Sequence, residues 1–157
     1  ATEGLVSILP RRGTFASELI FSDVQDLLEL RWHLEAVAAR LAASRITEEE
    51  LKAIERLFEG VNRLPPGSPD HVRIDTEFHR ILQQATRNRY LADTLARLHT
   101  LSLRLMFVTR AKAAELPDAL GQYLAVVEAL RRRDPEATER AVHAHLDDFR
   151  ERLRASL

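Results

Sequence analysis

Residues 22–58, SDVQDLLELRWHLEAVAARLAASRITEEELKAIERLF, decide the fold class. Ser22 and Gln25 form an S-x-x-Q capping box, in which a hydroxyl and an amide satisfy first-turn donors that a helix leaves unpaired. Leu27, Leu30, Leu34, Val37, Ala38 and Leu41 then recur at three- and four-residue spacing, one apolar stripe running to about Ser44. Thr47 and Glu50 repeat the start signal as T-x-x-E, opening a second helix through Leu51, Ile54, Leu57 and Phe58 that ends near Gly60. Two capped amphipathic helices in succession predict a helical bundle.

The rest of the chain continues the pattern. Leu64-Pro65-Pro66-Gly67 reads as a loop, after which Ser68 can cap and Pro69 can take the first position of a third helix carrying Ile74, Phe78, Ile81 and Ala85. Asn88 marks its end. A fourth helix runs through Leu91, Leu95, Leu98, Leu101, Leu105 and Val108, a fifth from about Asp118 to Arg132, and a sixth from Asp134-Pro135. Short connections make these six helices an all-α antiparallel bundle. Residues 1–16 read differently, as two short apolar stretches around Pro10-Arg11-Arg12-Gly13, the pattern of a small hairpin. The expected division is a hairpin and linker at 1–20 and a helical domain at 21–157.

Composition narrows the function. With 45% hydrophobic and 30% charged residues the chain should bury a core, and a formal net charge of −1 gives no positive field to hold a polyanion. The chain has no Cys, so any metal site must use His, Asp, Glu or Tyr. No basic-then-apolar leader opens it and no stretch approaches the ~20 apolar residues of a membrane span, so a soluble, cytoplasmic protein is expected.

A few residues do not suit a plain bundle. Asp75 and His79 lie four apart on one helical face, where they form either a solvated pair or two ligands of one ion. His71 lies about 12 Å of helix from His79, too far to share that ion, so one of the two is expected to be polar surface. His143 and His145 are about 200° apart around the last helix, so one at most faces any given cavity. Arg31 falls on the first helix's apolar stripe and needs either an internal partner, Asp75 or Glu35, or a bound carboxylate. Arg131, Arg132 and Arg133 close the fifth helix, where positive charge suits the dipole. Tyr123 sits on that helix's inner stripe with core packing as its default role. No Glu-x-x-His pair, phosphate-binding glycine loop or nucleophile with its base is present, and catalysis has little support.

Taken together, EGLVSILPRRGTFAS, LLELRWHLEAVAARLAA, DTEFHRILQQATRNRYL and VVEALRRRDPEATERAVHAHL, in this order, resemble the GntR family of bacterial regulators in the branch with an FCD effector domain. The first segment resembles the wing of that family's winged helix-turn-helix domain, which makes Arg11, Arg12 and Gly13 the residues left to touch DNA. The resemblance implies a homodimer that binds a small organic acid, often beside a divalent metal, and so controls DNA binding. It implies Asp75, His79 and His145 as metal ligands for Zn or a similar ion, with Tyr123 standing where a fourth ligand, a His, is usual and weakening the site. It implies Arg31, Arg104 and Tyr123 as contacts of the effector. The chain contains no recognition helix, so operator DNA is expected to be bound by a longer protein only. A metal-dependent bundle enzyme and a ligand-free dimerisation bundle are the competing readings.

Overall fold

The computed structural model describes residues 6–9, 13–16, 21–65, 68–108 and 116–156. Six helices follow in order: α1 (Phe21–Arg45), α2 (Glu48–Phe58), α3 (Pro69–Ala85), α4 (Arg89–Val108), α5 (Leu116–Arg131) and α6 (Pro135–Ser156), with a 3-10 turn at Val61–Arg63. They form an all-α six-helix bundle in which α6 packs most extensively against α1 and α5, and α3 against α4 and α1. Ahead of it, β1 (Val6–Leu9) and β2 (Gly13–Ala16) pair antiparallel, with Leu9 opposite Gly13. Arg11 and Arg12 lie outside the described residues.

The helix boundaries follow local chemistry. Thr47 and Glu50 close their box in both directions, the Glu50 N–H donating to Thr47 Oγ1 at 3.2 Å and the Thr47 N–H to Glu50 Oε2 at 3.0 Å. Ser68 Oγ accepts from the Asp70 N–H with Pro69 at the first position, as expected. Asn88 Oδ1 accepts from the Leu91 N–H at 3.2 Å, so Asn88 caps the start of α4 as well as following the end of α3. Asp134 Oδ1 does the same for Ala137 at 2.9 Å. The residues before these two caps, Arg87 at φ 54° and Arg133 at φ 51°, take the left-handed conformation that stops the preceding helix. α1 begins at Phe21, one residue before the expected Ser22 cap, whose side chain lies outside the described residues.

Of the apolar stripe read on α1, only Ala38 is fully buried. Leu30 is 45% and Val37 50% exposed, and Leu27, Leu34 and Leu41 between them are only half-buried. The buried face of α1 is Ala38, Ala39, Ala42, Ala43 and Ile46, together with Arg31 and Glu35. Small side chains let α1 approach its neighbours closely, and the bulk of the core comes from Ile54, Phe58, Ile74, Phe78, Tyr123, Val126, Leu130 and Leu146. A smaller cluster of Val24, Leu105 and Leu153 closes the other end. Along α1, the polar pair Arg31 and Glu35 falls between these two apolar regions.

Candidate functional site

The band between the two clusters is buried and polar. α1 supplies Arg31 and Glu35, α3 supplies Asp75 and His79, α4 supplies His99 and Ser102, α5 supplies Tyr123 and α6 supplies His145, none more than 9% exposed. Helical spacing explains each pair: residues three or four apart share a face and reach the same interior.

Tyr123 is the node. Its ring packs on Phe78 at 4.2 Å between centroids, and its hydroxyl donates to Asp75 Oδ1 at 2.6 Å. The same oxygen lies 2.9 Å from His79 Nε2 and 3.0 Å from His145 Nε2. A phenol has one proton to give, and Asp75 takes it, so both imidazoles must carry their protons on Nε2 and donate to the phenol oxygen. One donor and two acceptor sites are thereby all used.

Arg31 is held by Glu35, with Nη2 at 2.6 Å and Nε at 2.7 Å from Oε1. This is one of the two internal partners open to it in the sequence. Glu35 Oε2 in turn faces His79 Nδ1 at 3.9 Å. His99 Nε2 lies 3.4 Å from Asp75 Oδ2 without hydrogen-bond geometry, and neither of its ring nitrogens has a partner; His145 Nδ1 is likewise without one.

Burial governs protonation here. Desolvation pushes the Asp75 carboxyl up to about 6, opposed by the Tyr123 hydrogen bond and the Arg31 charge. It holds His79 and His99 well below the usual imidazole range and His145 down to about 4, so these rings are neutral at physiological pH. Desolvation, followed by the neighbouring Asp75 carboxylate, keeps the Tyr123 phenol protonated.

The sequence-predicted residues thus divide. Asp75, His79, His145 and Tyr123 meet at one oxygen, and Arg31 joins them through Glu35. Arg104 is on α4 and half-buried. His143 faces away and stacks on Trp32 at 3.7 Å. One of His71 and His79 was expected as polar surface, but both are buried, and His71 has both ring nitrogens unpartnered. It shares the inner face of α3 with Ile74 and Phe78. Arg131 pairs with Glu55 at 2.6 Å and Arg133 donates to the Ile46 carbonyl at 2.8 Å, tying α5 to α2 and to the end of α1. His99 was missed: the fourth helix's leucines suggested one face, whereas its buried face is Leu95, His99, Ser102 and Leu105, at spacings of four, three and three.

Two sets of side chains offer ligand atoms for a divalent cation. Asp75, His79 and His145 surround the Tyr123 oxygen, which already occupies the point on which they converge. Asp75, His79 and His99 offer three ligand atoms all within 4.8 Å of one another, and neither ring nitrogen of His99 has a hydrogen-bond partner. The buried Asp75–His79–His99 cluster is compatible with a metal site.

The sequence matches the FCD domain over residues 26–148. The chain belongs to the FCD family, as mainly the FCD domain of a GntR-family helix-turn-helix transcription regulator. It is 28% identical over 98% of its length to the HTH-type transcriptional repressor RspR of Escherichia coli K12, of which it spans 68%. It is 30% identical over 76% of its length to the HTH-type transcriptional repressor NanR of Cronobacter sakazakii, spanning 46% of that protein. Among solved structures, Escherichia coli McbR/YncC superposes with a TM-score of 0.85 over 99% of this chain and 80% of that one, at 16% identity. Streptococcus agalactiae GntR gives 0.68 over 96% and 76%, at 26% identity. These relatives are regulators, and the chain is an effector-binding regulator domain and not an enzyme. No helix among the described residues is long and apolar enough to cross a membrane.

Proposed function

We propose that this domain senses a small organic acid bound at the buried polar band, and that occupancy sets the DNA affinity of the longer regulator to which it belongs. The observation that carries the reading is the His99 ring, buried with neither nitrogen partnered. That neutral ring has one N–H, and a buried donor without an acceptor is costly unless a ligand supplies one. A carboxylate does so. Arg31 and Arg104 add guanidinium donors suited to a carboxylate, and Tyr123 contributes a hydroxyl among them.

Charge argues for a cation beside the acid. Among the described residues Arg31 is the one fully buried guanidinium facing Glu35 and Asp75, so an anionic effector adds negative charge to a dry site that the half-buried Arg104 offsets only in part. Asp75, His79 and His99 would hold a divalent ion, Zn2+ or similar, and when bound it would neutralise that excess and polarise the acid's carboxylate. Glu35 is placed to accept from His79 Nδ1 once Nε2 becomes a ligand, and Arg31 fixes Glu35 in that position.

Homodimerisation is assigned to the outer face of α1. Leu27, Leu30, Leu34, Val37 and Leu41 repeat at alternating three- and four-residue steps, a heptad seam that this bundle leaves half in water. Two such seams against each other would bury it. The β1–β2 hairpin, with Arg11, Arg12 and Gly13, would belong to the wing of the DNA-reading domain. The effector then acts by favouring one relative placement of the two readers.

The test is thermal melting with a panel of mono- and dicarboxylic acids, with and without Zn2+. A rise in the midpoint with acid, larger when Zn2+ is present, is expected because a ligand of the folded state stabilises by mass action. No response to any acid would favour a ligand-free dimerisation bundle.

A further inference from the structure

The Tyr123 hydroxyl stands at the meeting point of Asp75, His79 and His145 and saturates its own hydrogen-bonding capacity there. Two of those three residues, Asp75 and His79, also belong to the set that fits a cation with His99. An ion bound through His79 Nε2, the nitrogen 3.9 Å from Asp75 Oδ1, must displace the phenol, because donating Nε2–H requires a proton on the lone pair that the ion would need. Asp75 is similarly engaged through Oδ1, while Oδ2 is turned to His99.

We propose that Tyr123 is a built-in competitor for the cation, holding Asp75 and His79 in a complete hydrogen-bonded arrangement so that the band is assembled without metal and takes up an ion only when the phenol gives way. The phenol oxygen is hydrogen-bonded to all three partners, and a neutral, fully buried phenol is a poor ligand. Metal uptake by this domain is then conditional. An effector that draws the hydroxyl to its own carboxylate would release Asp75 and His79 together, coupling acid and cation binding. The inference rests on the Asp75–His79–His99 reading of the cation set.

Tyr123→Phe tests it, because the ring's packing on Phe78 is kept and only the hydroxyl is lost. Zn2+ alone is titrated by calorimetry into the metal-stripped full chain, and melting is followed in EDTA. Tyr123→Phe should bind Zn2+ about tenfold more tightly than the wild type, the equivalent of one recovered buried hydrogen bond, and should melt lower in EDTA. Weaker Zn2+ binding in the variant would make Tyr123 a ligand and overturn the proposal, as would equal affinity or an unchanged EDTA midpoint. Zn2+ binding to neither protein would instead remove the cation set itself, whatever the acid titrations show. In the wild type, Zn2+ should produce no tyrosinate difference absorbance; its appearance would also overturn the proposal, and this readout needs no variant.

Discussion

Arg31 and Glu35 form a buried ion pair one helical turn apart, 2.6 Å between Nη2 and Oε1, on the face of α1 that enters the bundle. Removing one member strands the other. Arg31→Met should destabilise the fold by about 3–5 kcal/mol, because Glu35 then keeps its charge without a partner. The double variant Arg31→Met, Glu35→Leu should recover most of that loss. Chemical denaturation of the two variants checks it, and equal stability would show that Glu35 finds another cation or protonates.

Acid should loosen the metal-free domain. His79, His99 and His145 are depressed below their unfolded values by burial, so between pH 6.5 and about 4 the unfolded chain binds protons that the folded chain refuses, and stability falls with pH. Asp75 works the other way: raised to about 6, it takes a proton in the folded state before the unfolded one does. Three imidazoles against one carboxyl leave a net uptake of about two protons on unfolding, a slope of at most about 2.7 kcal/mol per pH unit from this cluster. Urea midpoints in EDTA across that window measure it, and a flat profile would mean the imidazoles reach water.

The α1 seam gives a prediction about assembly. Leu30→Glu or Val37→Glu should convert a dimer to a monomer by light scattering, with far-UV circular dichroism unchanged, since both side chains are about half exposed in the isolated bundle. Retention of the dimer in both variants would move the interface elsewhere.

The start of α2 offers a smaller, local test. Thr47→Ala removes the Oγ1 acceptor of the Glu50 N–H and should cost about 1 kcal/mol, a fall of roughly 2–4 °C for a chain of this size. Glu50→Ala should lose more than the reciprocal cap, because Glu50 also pairs with Arg87 at 2.7 Å, joining α2 to the turn after α3.

Local chemistry was readable along the chain because it depends on neighbours three or four residues away. The Thr47–Glu50 box, the Ser68-Pro69 start and the Asp134-Pro135 start all appear where the sequence places them; Asp75 and His79 were identifiable as a pair on one helical face, and His145 over His143 by the family resemblance. The face each helix turns inward was less legible. On α1 the leucine stripe competed with an alanine-rich face, and hydrophobicity alone favoured the wrong one, because close approach of helices rewards small side chains that a hydropathy count undervalues. His99 was hidden for the same reason, its helix offering leucines on more than one side.

By itself, the sequence determined that six helices form and which residue types they carry, since capping and periodicity are set within a turn or two of chain. Only the tertiary structure decided that Tyr123, from α5, would place its oxygen between side chains of α3 and α6, and that His99 would stand beside Asp75. Those meetings depend on how far each helix is rotated and how closely it packs, quantities fixed by the sum of weak contacts across the whole bundle and written at no single position in it.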